Sequence, residues 1–178
     1  MGKIVVLSGS PRRNGNTELL VDSFVEGAKV HNTVEVFSVN KYKVNPCTGC
    51  NACRISNEHK CVQNDDMKLI FDSLYDADVL VIASPVYFYG VSAQLKAIID
   101  RFHSPERSQL GINGLALLLV GADTIPGLFD SIKSQYQLTL DYFNLKDYGT
   151  FFVNGVEEKG AIKGNEKLKD AYSLGLSI

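Results

Sequence analysis

The chain opens on the apolar run Ile4-Val5-Val6-Leu7 and returns to such runs at Val79-Leu80-Val81-Ile82-Ala83 and Leu115-Ala116-Leu117-Leu118-Leu119-Val120. Short, unbroken apolar runs mark strands covered on both faces, as in a parallel sheet. Between them the apolar positions change period. In Thr17–Lys29 they fall at Leu19, Leu20, Phe24, Val25 and Ala28, one face of a helix. The pattern predicts strands at Lys3–Leu7, Thr33–Val39, Asp78–Ala83, Gly114–Val120 and Gly149–Val153. It predicts helices at Thr17–Lys29, Asp66–Tyr75, Ser92–Phe102, Thr124–Phe143 and Lys163–Leu174. Strands alternating with helices imply one doubly wound α/β domain over residues 1–178, a five-stranded parallel sheet with helices on both faces.

One segment departs from the alternation. Asn40–Gln63 is too long and too cysteine-rich for an ordinary strand-to-helix loop. All four cysteines fall within it, which speaks for metal, cluster or thiol chemistry rather than a secreted disulfide framework.

Composition narrows the classes. With 178 residues, 45% of them hydrophobic, the chain can bury a core without staples. Net charge is -2 and the Lys and Arg residues are scattered, so nucleic acid is a poor partner. No apolar run approaches the ~18 residues of a membrane span, and the chain enters its first strand at once. A soluble cytoplasmic protein with no membrane partner is expected.

The loop Ser8-Gly9-Ser10-Pro11-Arg12-Arg13-Asn14-Gly15-Asn16-Thr17 joins the first strand to the first helix, where backbone N–H groups and the helix dipole attract an anion. Ser8, Ser10 and Thr17 add hydroxyls, Asn14 and Asn16 amides, and Arg12 a charge, a set suited to a phosphate monoester. A dinucleotide fingerprint fails because Pro11 stands where its second glycine should be and the second strand closes on Val39-Asn40 without an acid. A triphosphate loop fails for want of G-K-[ST]. The plainer alternative is a helix start capped by Asn14 or Asn16, with Gly15 for the turn and Arg12 and Arg13 solvated.

In a strand order of 2-1-3-4-5 the sheet switches direction between strands one and three, and ligands bind in the crevice there. The loop Ser84-Pro85-Val86-Tyr87-Phe88-Tyr89-Gly90-Val91-Ser92 would face the phosphate loop across it. Three aromatics and a glycine suit the wall of a planar ring system, although core or dimer-interface packing would also employ them. A third loop, Val120-Gly121-Ala122-Asp123-Thr124, follows the fourth strand to the same edge.

These two loops, with the continuation Ala93-Gln94-Leu95-Lys96 and Asp100-Arg101, closely resemble the NADPH-dependent FMN reductase-like family, nearest its iron-sulfur flavoprotein branch. The likeness runs from residue 3 to about 125. It implies a flavodoxin-like fold with strand order 2-1-3-4-5. It implies FMN with its phosphate at Ser10, Arg12, Asn14, Asn16 and Thr17 and its ring against Pro85, Val86, Tyr87, Phe88, Tyr89 and Gly90, with Gly121 nearby. It also implies homodimers or homotetramers. Asp100 and Arg101 read either as a helix-end ion pair or as interface residues.

The spacing Cys47-x2-Cys50-x2-Cys53-x7-Cys61 resembles the compact motif of that branch, with a long final gap. A [4Fe-4S] cluster, structural zinc, and free or redox-active thiols are the three readings. His59 lies in the gap. Asn64, Asp65 and Asp66 read as a helix start where carboxylates suit the dipole.

The expected activity is an FMN-dependent oxidoreductase that passes electrons from NAD(P)H to a quinone, a flavin, an azo compound or the cysteine-bound cluster. No side chain is assigned a catalytic role, because the chemistry belongs to the flavin. The rivals are a non-enzymatic flavodoxin-type electron carrier docking on protein partners and a redox sensor that switches through its cysteines.

Overall fold

A computed structural model describes all of residues 1–178. The strands are β1 (Lys3–Ser8), β2 (Thr33–Ser38), β3 (Val79–Pro85), β4 (Gly114–Val120) and β5 (Lys146–Val153). The helices are α1 (Asn16–Ala28), α2 (Ala52–Ile55), α3 (Met67–Leu74), α4 (Ala93–Arg101), α5 (Asp130–Phe143) and α6 (Lys167–Ser177), with a 3-10 turn at Pro105–Gln109. All neighbouring strands are parallel and their order is β2-β1-β3-β4-β5, so the sheet switches direction between β1 and β3 as expected.

Alternate residues of the buried strands serve two cores. Ile4, Val6, Val81, Ala116 and Leu118 pack against Leu20, Phe24 and Ala28 of α1 and Ala171 of α6. Val5, Leu7, Leu80, Leu115 and Leu117 pack against Ile70 of α3, Leu95 and Ile98 of α4 and Ile132 of α5. Each fully buried Leu or Ile contributes about 2 kcal/mol of apolar transfer.

Three boundaries differ from the sequence expectation. Thr124–Phe129 is not helical, because Pro126-Gly127 forms a turn with Gly127 at φ +77°, and α5 starts only at Asp130. β5 begins at Lys146, ahead of Gly149, and accommodates the extra residues by an irregularity opposite Leu115–Leu117. The closing helix starts at Lys167 rather than Lys163, behind the turn at Gly164.

Helices α1 and α6 touch backbone to backbone. A Cβ on Gly27 would lie 2.0 Å from the Tyr172 carbonyl oxygen, and one on Gly175 would lie 2.1 Å from that of Phe24. Neither carbonyl can retreat without breaking its helix, so overpacking here costs about 1–3 kcal/mol. Gly175→Ala should lower the unfolding free energy in urea by that amount, whereas Gly164→Ala, with open space around it, should act only through its φ of +76°.

Candidate functional site

The loops after β1 and β3 meet at the carboxyl edge of the sheet. Gly9 N–H donates to the Ala83 carbonyl at 2.7 Å. The Ser92 hydroxyl donates to the Gly9 carbonyl at 2.6 Å and accepts from Leu95 N–H at 3.2 Å, which caps α4. Ser92 N–H donates in turn to the Ser84 hydroxyl at 3.1 Å. A Cβ at Gly9 would stand 2.7 Å from the Leu95 side chain, so only glycine allows this approach. The third loop is laced on by Val86 N–H to the Val120 carbonyl and Gly121 N–H to the Val153 carbonyl, both at 2.8 Å.

Helix α1 begins without a side-chain cap: Gly15 sits at the cap position in extended backbone. The plainer alternative, a cap by the Asn14 or Asn16 side chain, is therefore not used. The first backbone bond of the helix runs from Leu19 N–H to the Gly15 carbonyl at 3.0 Å, which leaves the N–H groups of Asn16, Thr17 and Glu18 for an outside acceptor. Ser10 and Thr17 are buried beside them, and Arg12 stands exposed above. Donors, dipole and guanidinium suit a phosphate monoester, and this helix start fits the phosphate of FMN on its own geometry.

Asn16 is placed differently from its expected role. Its amide donates to the carbonyls of Val156 at 3.0 Å and Glu158 at 2.8 Å, and its oxygen accepts from Ile162 N–H at 3.2 Å. The side chain pins the segment after β5 to α1, so Asn16 offers a ligand only its backbone. Asn14 is exposed with φ +53°, and its N–H is taken by the Glu18 carboxylate.

The aromatic loop is a tight reversal. Tyr87 and Gly90 exchange backbone hydrogen bonds of 2.9 and 3.0 Å, and between them Phe88 and Tyr89 hold φ of +49° and +62°. Such two-residue turns normally carry Asn-Gly. A bulky residue in this region costs about 1–2 kcal/mol. Phe88 is 98% exposed, and Tyr87 and Tyr89 are also open, which removes the core alternative. The Ser131 hydroxyl at the start of α5 donates to the Tyr89 carbonyl and holds the turn over the edge. Pro85 and Val86 are half-buried at its base. Replacing Phe88→Asn together with Tyr89→Gly should raise stability by about 2 kcal/mol in urea denaturation by relieving both positive-φ side chains. A loss of stability would show the turn to be unstrained.

The cysteine segment is strapped down from α4. Buried Arg101 donates through one Nη to the Asp65 carboxylate at 2.6 Å and to the Asn45 carbonyl at 3.0 Å, joining both ends of the loop. Asp65 also accepts from Asn45 N–H at 3.0 Å and Met67 N–H at 3.1 Å. Asp65 is thus more than a dipole partner of α3. Asp100 pairs with Lys96, so Asp100 and Arg101 do not pair with each other. Sequence reasoning missed this clamp because the partners lie 36 residues apart.

All four thiols are free, and no three His, Cys, Asp or Glu side chains come close enough to share a metal ion. As arranged in this structure, Cys47, Cys50, Cys53 and Cys61 do not form the ligand set of a cluster or zinc. Cys50 is exposed, and hydrogen bonds from Ala52 N–H and Thr48 pull its thiol below the ordinary range.

Burial pushes the Asp65 carboxyl up, but the bonds from Arg101, Asn45 N–H and Met67 N–H outweigh it and hold it below the usual carboxylate range. A depressed carboxyl contributes stability that is present above its unfolded value of about 3.9 and lost as pH falls through the folded value. The loop should stay clamped at neutral pH, and its amide protection, taken relative to intrinsic exchange, should fall below about pH 4. In Asp65→Asn that acid step should vanish; its persistence would assign it elsewhere.

Comparison with known proteins places this edge in context. The family described as NADPH-dependent FMN reductase matches residues 2–148. An iron-sulfur flavoprotein of Archaeoglobus fulgidus is 38% identical over 99% of this chain and 78% of its own length. One of Methanocaldococcus jannaschii is 44% identical over 56% of this chain, and there the match spans only 51% of the relative. Among solved structures, an NAD(P)H:quinone oxidoreductase from Methanothermobacter marburgensis superposes with a TM-score of 0.79 at 18% identity, covering 99% of this chain and 96% of that one. That likeness is one of fold.

Proposed function

Because the chain belongs to the NADPH-dependent FMN reductase family and its iron-sulfur flavoprotein branch, we propose that it is an oxidoreductase that holds FMN at the carboxyl edge of the sheet. The observation that carries this reading is that the loop leading to the uncapped start of α1 and the loop bearing the strained aromatic turn are tied together by the Gly9–Ser92 bond. The N–H groups of Asn16, Thr17 and Glu18, the Ser10 and Thr17 hydroxyls and Arg12 take the phosphate. Pro85, Val86 and the backbone from Tyr87 to Gly90 flank the ring and shed water from it, with Gly121 at the margin. When bound, FMN supplies the redox chemistry, accepting hydride from NAD(P)H and delivering electrons to a quinone, flavin or similar acceptor.

No electron step is assigned to the cysteines, whose present arrangement closes round no metal. Exposed Phe88, and Leu138 and Tyr142 on α5, support assembly of two or four copies. No helix is long and apolar enough to cross a membrane, in keeping with a cytoplasmic NAD(P)H-linked role.

Steady-state NAD(P)H oxidation with an added quinone tests the reading. The protein should turn over well above an equal concentration of free FMN. Arg12→Gln, which removes a charge-assisted bond, should weaken FMN about tenfold or more. Turnover no faster than free FMN would leave a carrier instead of an enzyme.

A further inference from the structure

The aromatic reversal is fixed firmly at its legs and sparsely at its tip. Its legs are pinned by Val86 N–H on the Val120 carbonyl at 2.8 Å and by the Ser92 hydroxyl on the Gly9 carbonyl at 2.6 Å. Between these pins, one hydrogen bond reaches residues 87–91 from another element: the Ser131 hydroxyl of α5 donates to the Tyr89 carbonyl. The Tyr89–Gly90 peptide is thereby held at both of its polar groups, its C=O by Ser131 and its N–H by the Tyr87 carbonyl at 3.0 Å.

The two partners in that bond stand on different footings. Ser131 lies in the first turn of α5 on a fixed base: Ile132 beside it is buried in the core, and Phe129 stacks on Phe152 with ring centroids 4.9 Å apart. Leu128 fills the space above Gly121, where a Cβ would stand 2.4 Å from it, so the approach to α5 is locked to the loop after β4 as well. The turn has no such base. Phe88 and Tyr89 project into solvent and keep φ of +49° and +62°, although aromatic residues favour negative φ. Their return to ordinary backbone would splay the legs and swing the Tyr89 carbonyl off α5. A strained tip tied to a fixed post by one bond keeps its shape through that bond.

We propose that Ser131 is a positioning residue for the flavin ring: from α5 it holds the turn in the shape in which the backbone from Tyr87 to Gly90 meets the ring. This rests on the reading of the crevice as a flavin site. No hydrogen bond within the protein engages the N–H groups of Phe88 and Tyr89, so the held turn keeps two donors open to acceptors on a ring edge. The start of α1 is secured by separate contacts, those of Asn16 with the segment after β5. Loss of Ser131 therefore acts on the ring and spares the phosphate.

Ser131→Ala and Ser131→Thr, at an exposed position outside the core, test the proposal in two readouts. In the flavin-free protein, amide exchange of Gly90 should quicken about three- to tenfold in Ser131→Ala, the worth of one hydrogen bond, and return to the unaltered rate in Ser131→Thr. In fluorescence titrations FMN and riboflavin should both weaken by about that factor in Ser131→Ala, whereas Arg12→Gln should weaken FMN and spare riboflavin. With Phe88→Asn and Tyr89→Gly already in place the turn closes without strain, and Ser131→Ala should then change flavin affinity by less than about twofold. Unchanged Gly90 exchange, a loss confined to FMN, or a full loss that persists in the Asn-Gly background would each overturn the proposal. Failure of the unaltered protein to bind either flavin would bring down the flavin reading and the proposal with it. Normal binding that ignores Ser131→Ala would bring down the proposal alone.

Discussion

The hydroxyl of Ser92 holds the rest together. It donates to the carbonyl of Gly9 and accepts the N–H of Leu95, so one buried atom joins the turn after β1 to the helix after β3. Both bonds lie where the parallel sheet reverses its winding, the place where open α/β sheets leave a crevice between diverging loops. Leu95 seals the joint from below, and the Gly9 position admits no side chain because Leu95 fills the space. Without this link the anion-attracting start of α1 and the aromatic turn would be two surface loops.

The edge is assembled under tension that the packed layers beneath it sustain. Two aromatic residues sit in left-handed backbone, a helix begins with its first donors uncapped, and Arg12 projects into solvent. The left-handed aromatics and the uncapped donors are each unfavourable for the isolated protein. Against these costs stand two cores that bury both faces of the sheet and the glycine-mediated contact of α1 with α6. The Asn16 amide contributes to this support by fixing the segment after β5, and α1 thereby serves fold and site at once.

Most of the fold was legible because buried parallel strands are unbroken apolar runs. Val79 to Ala83 and Leu115 to Val120 admit little else, and alternation gave the doubly wound sheet, while the strand order came from the family resemblance. The boundaries that shifted lie at Gly127, Gly164 and the irregularity beside Leu115, where backbone torsion rather than hydrophobic period decides. The loop after β1 was legible as a composition, but the use of each residue was not: Asn16 reads identically whether its amide faces a ligand or the Val156 carbonyl. Arg101 with Asp65 depends on tertiary neighbours distant in sequence, so no local pattern announced the pair. The cysteine spacing suggested a four-thiol site, yet spacing does not by itself bring four sulfurs together.

The most direct measurement is an amide NMR titration of the flavin-free protein with FMN. The account predicts that the N–H signals of Asn16, Thr17 and Glu18 and those of Tyr87 to Gly90 shift together along one saturable transition, with riboflavin binding far more weakly and sparing the first group. Shifts confined to one of the two loops, or none in either, would contradict a single flavin pocket joined through Ser92.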